Sequence, residues 1–308
     1  MSLVDTSNRA IPKIHALSQC LGTHKANRFG ITSGKYFLSN SLTYEVNGPV
    51  ALLTLNRPDK LNAIDTGMMA EMNAAMDQAE EDHSIRAIVV KANGKSFSAG
   101  FDLDDEVWSS DKDEDIRAAL QNDFDTIMRF WDSPKPTIAC VQGYCLGGAM
   151  ELALSCDLTV ASSCALFGEP EVSIASGIVV LNLPWLTGPK LAKEILLCAD
   201  KRIPAQRIYE MGLLNRVVDL EDLESTGIEF AETIAANDMM SVAITKKAIN
   251  KTMEISGMRS ALDDASEANM LLETTDYDEK TEFYDILKKE GIKAALEWRR
   301  SLVFGKGD

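Results

Sequence analysis

Apolar and polar positions along this chain change their period several times, and each change marks an element. Leu42–Glu45 and Val50–Leu55 are short apolar or alternating runs joined by Asn47-Gly48-Pro49, which predicts two strands and a turn. Met69, Met72, Met76 and Ala79 then recur at helical spacing. They predict a helix capped by Asp65 or Thr66 and running to about His83. Ile85–Lys91 has the length and apolarity of a buried strand. From Asp102 to Asp115 the chain is acidic and without apolar periodicity, which predicts a solvated loop. Ile116–Trp131 reads as a helix stopped by Ser133-Pro134, and Thr137–Val141 as another strand. A glycine-bounded turn and a short apolar helix follow, then two short strands at Leu158–Ala161 and Ala165–Phe167.

Beyond Gly188-Pro189 the pattern is helical throughout. Helices are predicted over Lys190–Cys198, Ala205–Met211, Glu221–Ala236, Ser241–Ser256, Ser260–Thr274, Glu279–Glu290 and Ile292–Leu302, with Gly212 as a C-cap. The fold class is therefore α/β: a strand-rich core over 41–220 and an all-helical region over 221–308. Residues 1–40 stand apart. They carry Arg9, Lys13, Lys25, Arg28 and Lys35 against the single acid Asp5, and read as a basic N-terminal extension. A mitochondrial presequence is the alternative reading of that composition.

Charge narrows the class of partner. The chain has 308 residues, a formal net charge of −16 and a pI near 4.7, so nucleic acid and anionic membrane are set aside as general partners. No apolar run reaches the roughly 18 residues of a membrane span. The six cysteines have no CxxC pair and predict free, buried thiols in a reducing compartment, and no metal site is indicated. A cytoplasmic location is expected, with the mitochondrial matrix as alternative.

The candidate chemistry lies in a stretch almost without charge. Between Lys135 and Lys190 the only charged residues are Glu151, Asp157, Glu169 and Glu171. Glu151 follows Gly147-Gly148 by about one helical turn, where free N–H groups and the positive end of the helix dipole are available. The alternative for Glu151 is a carboxyl paired inside the core. Lys95–Leu103 places small residues and Gly100 after a strand and offers a second source of backbone donors, and two converging donors make an oxyanion hole. Pro170 stiffens the turn that directs Glu171, while Glu169 is expected to face solvent or to be structural. Arg57, Lys60 and Lys95 are the cations beside these loops; the alternative for each is a solvated surface charge.

Four segments in this order resemble the signatures of the enoyl-CoA hydratase/isomerase, or crotonase, family. They are Asn56–Ala63 (NRPDKLNA), Phe97–Leu103 (FSAGFDL), Gly143–Ala153 (GYCLGGAMELA) and Phe167–Glu171 (FGEPE). The resemblance runs from about residue 42 to the C-terminus. It implies a spiral of strand-strand-helix turns followed by a helical trimerisation region, hence a homotrimer or a dimer of trimers. It implies an acyl-CoA thioester as substrate, with no cofactor, since CoA is part of that substrate.

By position, the resemblance puts the oxyanion N–H groups on Phe101 and Gly148 and the catalytic acids on Glu151 and Glu171. The Ala99 carbonyl would meet the CoA adenine, with Gly100, Gly147, Ala63, Arg57 and Lys60 as neighbouring CoA-binding positions. Two retained glutamates imply a hydratase that adds water syn across a 2-enoyl-CoA. An isomerase or dehydratase of the same family is the alternative, and a catalytically silent acyl-CoA-binding protein is a third reading. Two departures stand out. Val172–Trp185 lacks the Gly-x-x-Pro and glycine pair usual after the second glutamate, in a segment that typically lines the acyl pocket. Phe101 is bulkier than the usual residue there, which is expected to matter little if only its N–H is used.

Overall fold

A computed structural model describes residues 35–37, 41–110 and 112–305. In chain order the larger elements are β1 (Lys35–Phe37), β2 (Leu42–Asn47), β3 (Val50–Leu55), α1 (Thr66–Glu81), β4 (Ala87–Ala92), α2 (Asp113–Asp132), β5 (Thr137–Val141), β6 (Tyr144–Leu146) and α3 (Gly148–Ser155). Then come β7 (Leu158–Ser162), β8 (Leu166–Gly168), α4 (Leu183–Thr187), α5 (Pro189–Cys198), β9 (Ile203–Pro204), α6 (Ala205–Glu210) and β10 (Arg216–Val218). Five helices close the chain: α7 (Leu223–Ala235), α8 (Met239–Ile255), α9 (Met258–Glu273), α10 (Asp278–Glu290) and α11 (Ile292–Phe304).

The main sheet has the order β1-β2-β3-β4-β5-β7-β10, antiparallel at its first two pairings and parallel from β3 onward. Parallel strands need covered faces, and both are covered here. Ala51, Leu53 and Leu55 of β3 face the core that holds Met68, Met69, Met72 and Met76 of α1. Val50 and Leu52 face the opposite side, with Leu223 and Ala231 of α7. Gly227 lets α7 lie close on the sheet, because a Cβ there would overlap Cys140 Sγ. The α1 helix starts where expected: Asp65 accepts from Met68 N at 2.8 Å, a side-chain cap.

Several expectations need adjustment. The acidic stretch is partly ordered by a 3₁₀ turn at Glu106–Ser109, and α2 begins at Asp113, its first turn carrying three acids that favour the helix dipole. The short elements α4, β9 and β10 add to the expected set; β10 exists through parallel pairing to β7, a non-local contact without local periodicity. Lys35–Phe37 pairs with β2 inside the segment read as an extension, and the rest of 1–40 lies outside the described residues. Cys140, Cys145 and Cys156 are buried free thiols, whereas Cys164 and Cys198 are exposed, so burial does not hold for all.

A second, three-stranded sheet, β6-β8-β9, brings the site together. Ser98 N donates to Tyr144 O at 3.0 Å and Leu146 N to Ser98 O at 3.2 Å, which zips the turn after β4 to the strand before α3. Phe101 and Gly148 thereby become neighbours.

Candidate active site

Glu151 lies in the first turn of α3 with 1% of its surface exposed. Its carboxylate is held by the segment that departs from the expected pattern. Val179 N donates to Oε1 at 3.1 Å and Val180 N to Oε2 at 2.7 Å. Burial and the neighbouring Glu171 push the Glu151 pKa well up, and the two amides pull the other way by favouring the carboxylate. Asn182 Nδ2 donates to Glu151 O at 3.2 Å and so fastens α4 to the same helix.

Glu171 opens a 3₁₀ turn after Pro170 and rests against the Gly147 turn. A Cβ on Gly147 would overlap Glu171 Oε1, and Gly147 itself has φ +54°, so glycine is required there twice over. Burial pushes the Glu171 carboxyl up to about 7.

Glu169 corrects one expectation: it does not face solvent but is buried, with 1% exposed. Glu169 N donates to Asp200 O at 3.1 Å, which pins this segment inward. The Glu169 and Glu171 carboxyl groups are neighbours close enough to act on each other's charge. Each also has a buried Oε2 without a donor. Burial, then the Glu171 and Glu151 charges, push Glu169 well up.

The described hydrogen bonds include none donated by Phe101 N or Gly148 N. Ile64 N bonds to Gly100 O at 2.9 Å and Asp102 N to Ile64 O at 2.8 Å, which leaves the intervening Phe101 N directed elsewhere. The Phe101 side chain matters more than its sequence position suggested. Its ring lies where a Cβ on Gly148 would be, so the two residues are fitted to each other.

The remaining candidates divide. Gly100 has φ +96° and packs on Leu146 O, and Ala99 N is bonded to Leu61 O, so both belong to the same zipped turn. Arg57 is committed within the protein: it pairs with Asp65 and Asp102, each at 2.9 Å, and donates to Ala63 O. That is a structural role, and it ties the Ala63 loop to the Phe101 loop. Lys60 forms an exposed pair with Asp104 at 2.9 Å that is free to exchange partners, and Lys95 is exposed. Asp157, the fourth charge of the apolar stretch, is structural: it accepts from Thr137 N and pairs with buried Lys246 at 2.7 Å. Among the described residues no group of His, Cys, Asp and Glu is placed to hold a metal ion, and no helix is long and apolar enough to cross a membrane.

Sequence reasoning passed over Asp123. It lies on the buried face of α2 and lines a cavity of about 590 Å³ together with Phe101, Trp108 and Asp105. The signal was present, an acid in register with Leu120 and Ile127 on an otherwise apolar stripe.

Comparison with known proteins adds independent findings. A sequence model described as enoyl-CoA hydratase/isomerase matches residues 45–303. A short-chain-enoyl-CoA hydratase of Clostridium acetobutylicum is 35% identical over 262 residues, which span 82% of this chain and 98% of the relative. A crotonyl-CoA hydratase of Syntrophomonas wolfei is 31% identical over 86% of this chain and 98% of the relative. The crystal structure of an enoyl-CoA hydratase/isomerase from Xanthobacter autotrophicus Py2 superposes with a TM-score of 0.82 at 45% identity, covering 85% of this chain and 98% of that one.

Proposed function

The chain belongs to the enoyl-CoA hydratase/isomerase family, and from that membership we propose that it hydrates 2-enoyl-CoA thioesters. The observation that carries this reading is the pairing of two buried carboxyl groups, Glu151 and Glu171, around the Gly147-Gly148 turn. Relatives named as hydratases support it.

In this reading the thioester oxygen sits between Phe101 N and Gly148 N, whose N–H groups have no other described acceptor. Water adds to C3, the C2–C3 π electrons move toward the thioester, and negative charge collects on that oxygen. Each donor contributes about 3 kcal/mol to such a state. Glu151, whose two amide donors favour the carboxylate form against the burial that raises its pKa, takes the proton from water in that form. Glu171, whose carboxyl titrates near neutrality, gives a proton to C2, and the proton on Glu151 returns to Glu171 to close the cycle. Acid–base help of this kind is worth roughly 10² to 10⁴ in rate. CoA enters only as part of the substrate. Lys60 and Lys95 are the cations for its phosphates, because Arg57 is already paired.

The helical region exposes Met240, Ile244, Ile255 and Leu271, which supports assembly of several copies through it, as a trimer or a dimer of trimers. Light scattering of the purified protein reads that stoichiometry. The activity is tested by following crotonyl-CoA hydration beside isomerisation of a 3-enoyl-CoA. Hydration that is lost in Glu151→Gln and Glu171→Gln supports the reading. Isomerisation without hydration, or wild-type hydration in both variants, overturns it.

A further inference from the structure

The buried face of α2 carries an acid where its pattern calls for an apolar side chain. Ile116, Leu120, Ile127 and Phe130 recur at helical spacing, and Asp123 falls in the same stripe with only 6% of its surface exposed. Burial, with the Asp105 charge nearby, pushes its carboxyl up to about 7. Among the described residues it has no hydrogen-bond donor and no cation as partner. A buried polar group in that condition is costly unless something else pairs with it.

The cavity it lines shows what that something is. Its apolar walls are Ile64, Ala70, Phe101, Trp108, Ala118 and Ala119. Its polar lining is acidic or neutral, with Asp65, Asp105, Glu106 and Asp115 beside Asp123, and among the described residues no Lys or Arg contributes. Phe101 belongs to both places. Its N–H is the proposed thioester donor and its ring is a cavity wall, so the cavity adjoins the proposed carbonyl site through this one residue. The Asp123 charge is also among those that act on Glu151.

We infer that this cavity receives the far part of the acyl group and selects chains bearing a hydrogen-bond donor there, a hydroxyl or an ammonium group. The inference rests on the proposed acyl-CoA chemistry. A plain alkyl end leaves Asp123 desolvated and unpaired. A carboxylate end meets the acidic wall and is repelled. A hydroxyl or ammonium group gives Asp123 the donor it lacks, while the methylene chain covers Phe101 and Trp108.

Binding rather than turnover tests this. Saturated acyl-CoAs of equal length ending in methyl, hydroxyl, ammonium or carboxylate are titrated calorimetrically into the full-length protein, over a series of chain lengths. The wild type is expected to bind one or both donor-ended chains at least tenfold more tightly than the methyl-ended chain at some length. Asp123→Leu is expected to abolish that preference and tighten the methyl-ended ligand. Asp123→Asn, of equal size, guards against a misfolded Leu variant and is expected to keep part of the hydroxyl preference and lose the ammonium preference. No preference in the wild type at any length, or a preference unchanged in Asp123→Leu, overturns the inference. Binding of these ligands without hydration of either crotonyl-CoA or a donor-ended 2-enoyl-CoA overturns the hydratase reading alone; no acyl-CoA binding at all overturns both.

Discussion

Glu151 Oε2 accepts a hydrogen bond of 2.7 Å from Val180 N, so the acid of one helix is oriented by the main chain of a segment with no motif of its own. With Val179 N on the other oxygen, the carboxylate is an acceptor twice over. Glu151→Gln must then turn an NH₂ group toward one of these N–H donors. The expected result is loss of hydration together with a stability loss of about 1 to 3 kcal/mol, the cost of one unsatisfied buried donor. Activity assays and thermal unfolding of the same sample check both halves.

The Glu169–Glu171 pair sets a pH dependence. A rise in the Glu171 pKa from 4.5 to about 7 means that the folded state prefers the protonated acid. The associated stability is fully present below pH 4.5, and is lost as pH rises toward and through 7. The amount is about 3 kcal/mol, at about 1.4 kcal/mol per pH unit. Glu171→Gln is therefore expected to be more stable than wild type above pH 7, with the difference closing toward pH 4.5, and to be inactive. Wild-type hydration should fall on an alkaline limb near pH 7 as the proton donor is lost. Glu169 lowers the Glu171 pKa, so Glu169→Leu should move that limb upward, while Glu169→Gln keeps a polar neighbour and should move it less. Unfolding curves and rate profiles across this range decide the matter.

Gly147 and Gly148 test the geometry from the backbone side. Gly147→Ala puts a Cβ into Glu171 Oε1 at a positive φ, and Gly148→Ala puts one into the Phe101 ring. The first should displace the acid and the second the donor loop, each lowering kcat by roughly 10² or more. Gly148→Ala combined with Phe101→Ala removes the overlap, and is expected to recover part of the rate lost by Gly148→Ala alone. A double variant no better than the single one would show that the fit between these residues does not govern the rate.

How much of the site is legible in the sequence depends on the kind of interaction. The α1 helix and the strands β2 to β5 follow from local periodicity, and the structure reproduces them within a few residues. Glu151 stood out because a charge inside an apolar stretch has few tolerable environments. The amides of Val179 and Val180 were invisible because every residue has an N–H, and only the tertiary course of the chain aims these two. Nothing local decides between a solvent-facing and a structural Glu169, and the Asp200 carbonyl, bonded across from another element, turns it inward. Arg57 looked available because its partners Asp65 and Asp102 lie on separate loops.

Those partners give the last prediction. Arg57 is mostly buried and joins Asp65, Asp102 and the Ala63 carbonyl, whereas Lys60 is exposed and holds only Asp104. Arg57→Ala leaves Asp102 buried without its cation and is expected to cost about 3 kcal/mol of stability. Because the same contacts hold the Phe101 loop, kcat should fall as well. Lys60→Ala removes an exposed, solvent-screened surface pair, so stability should barely change. If Lys60 serves a CoA phosphate, its loss raises KM at low salt and the effect shrinks as salt is added, because an exposed charge is screened. Unfolding curves for both variants, with KM measured against ionic strength, separate the structural cation from the binding one; a salt-insensitive KM in Lys60→Ala would remove Lys60 from the CoA site.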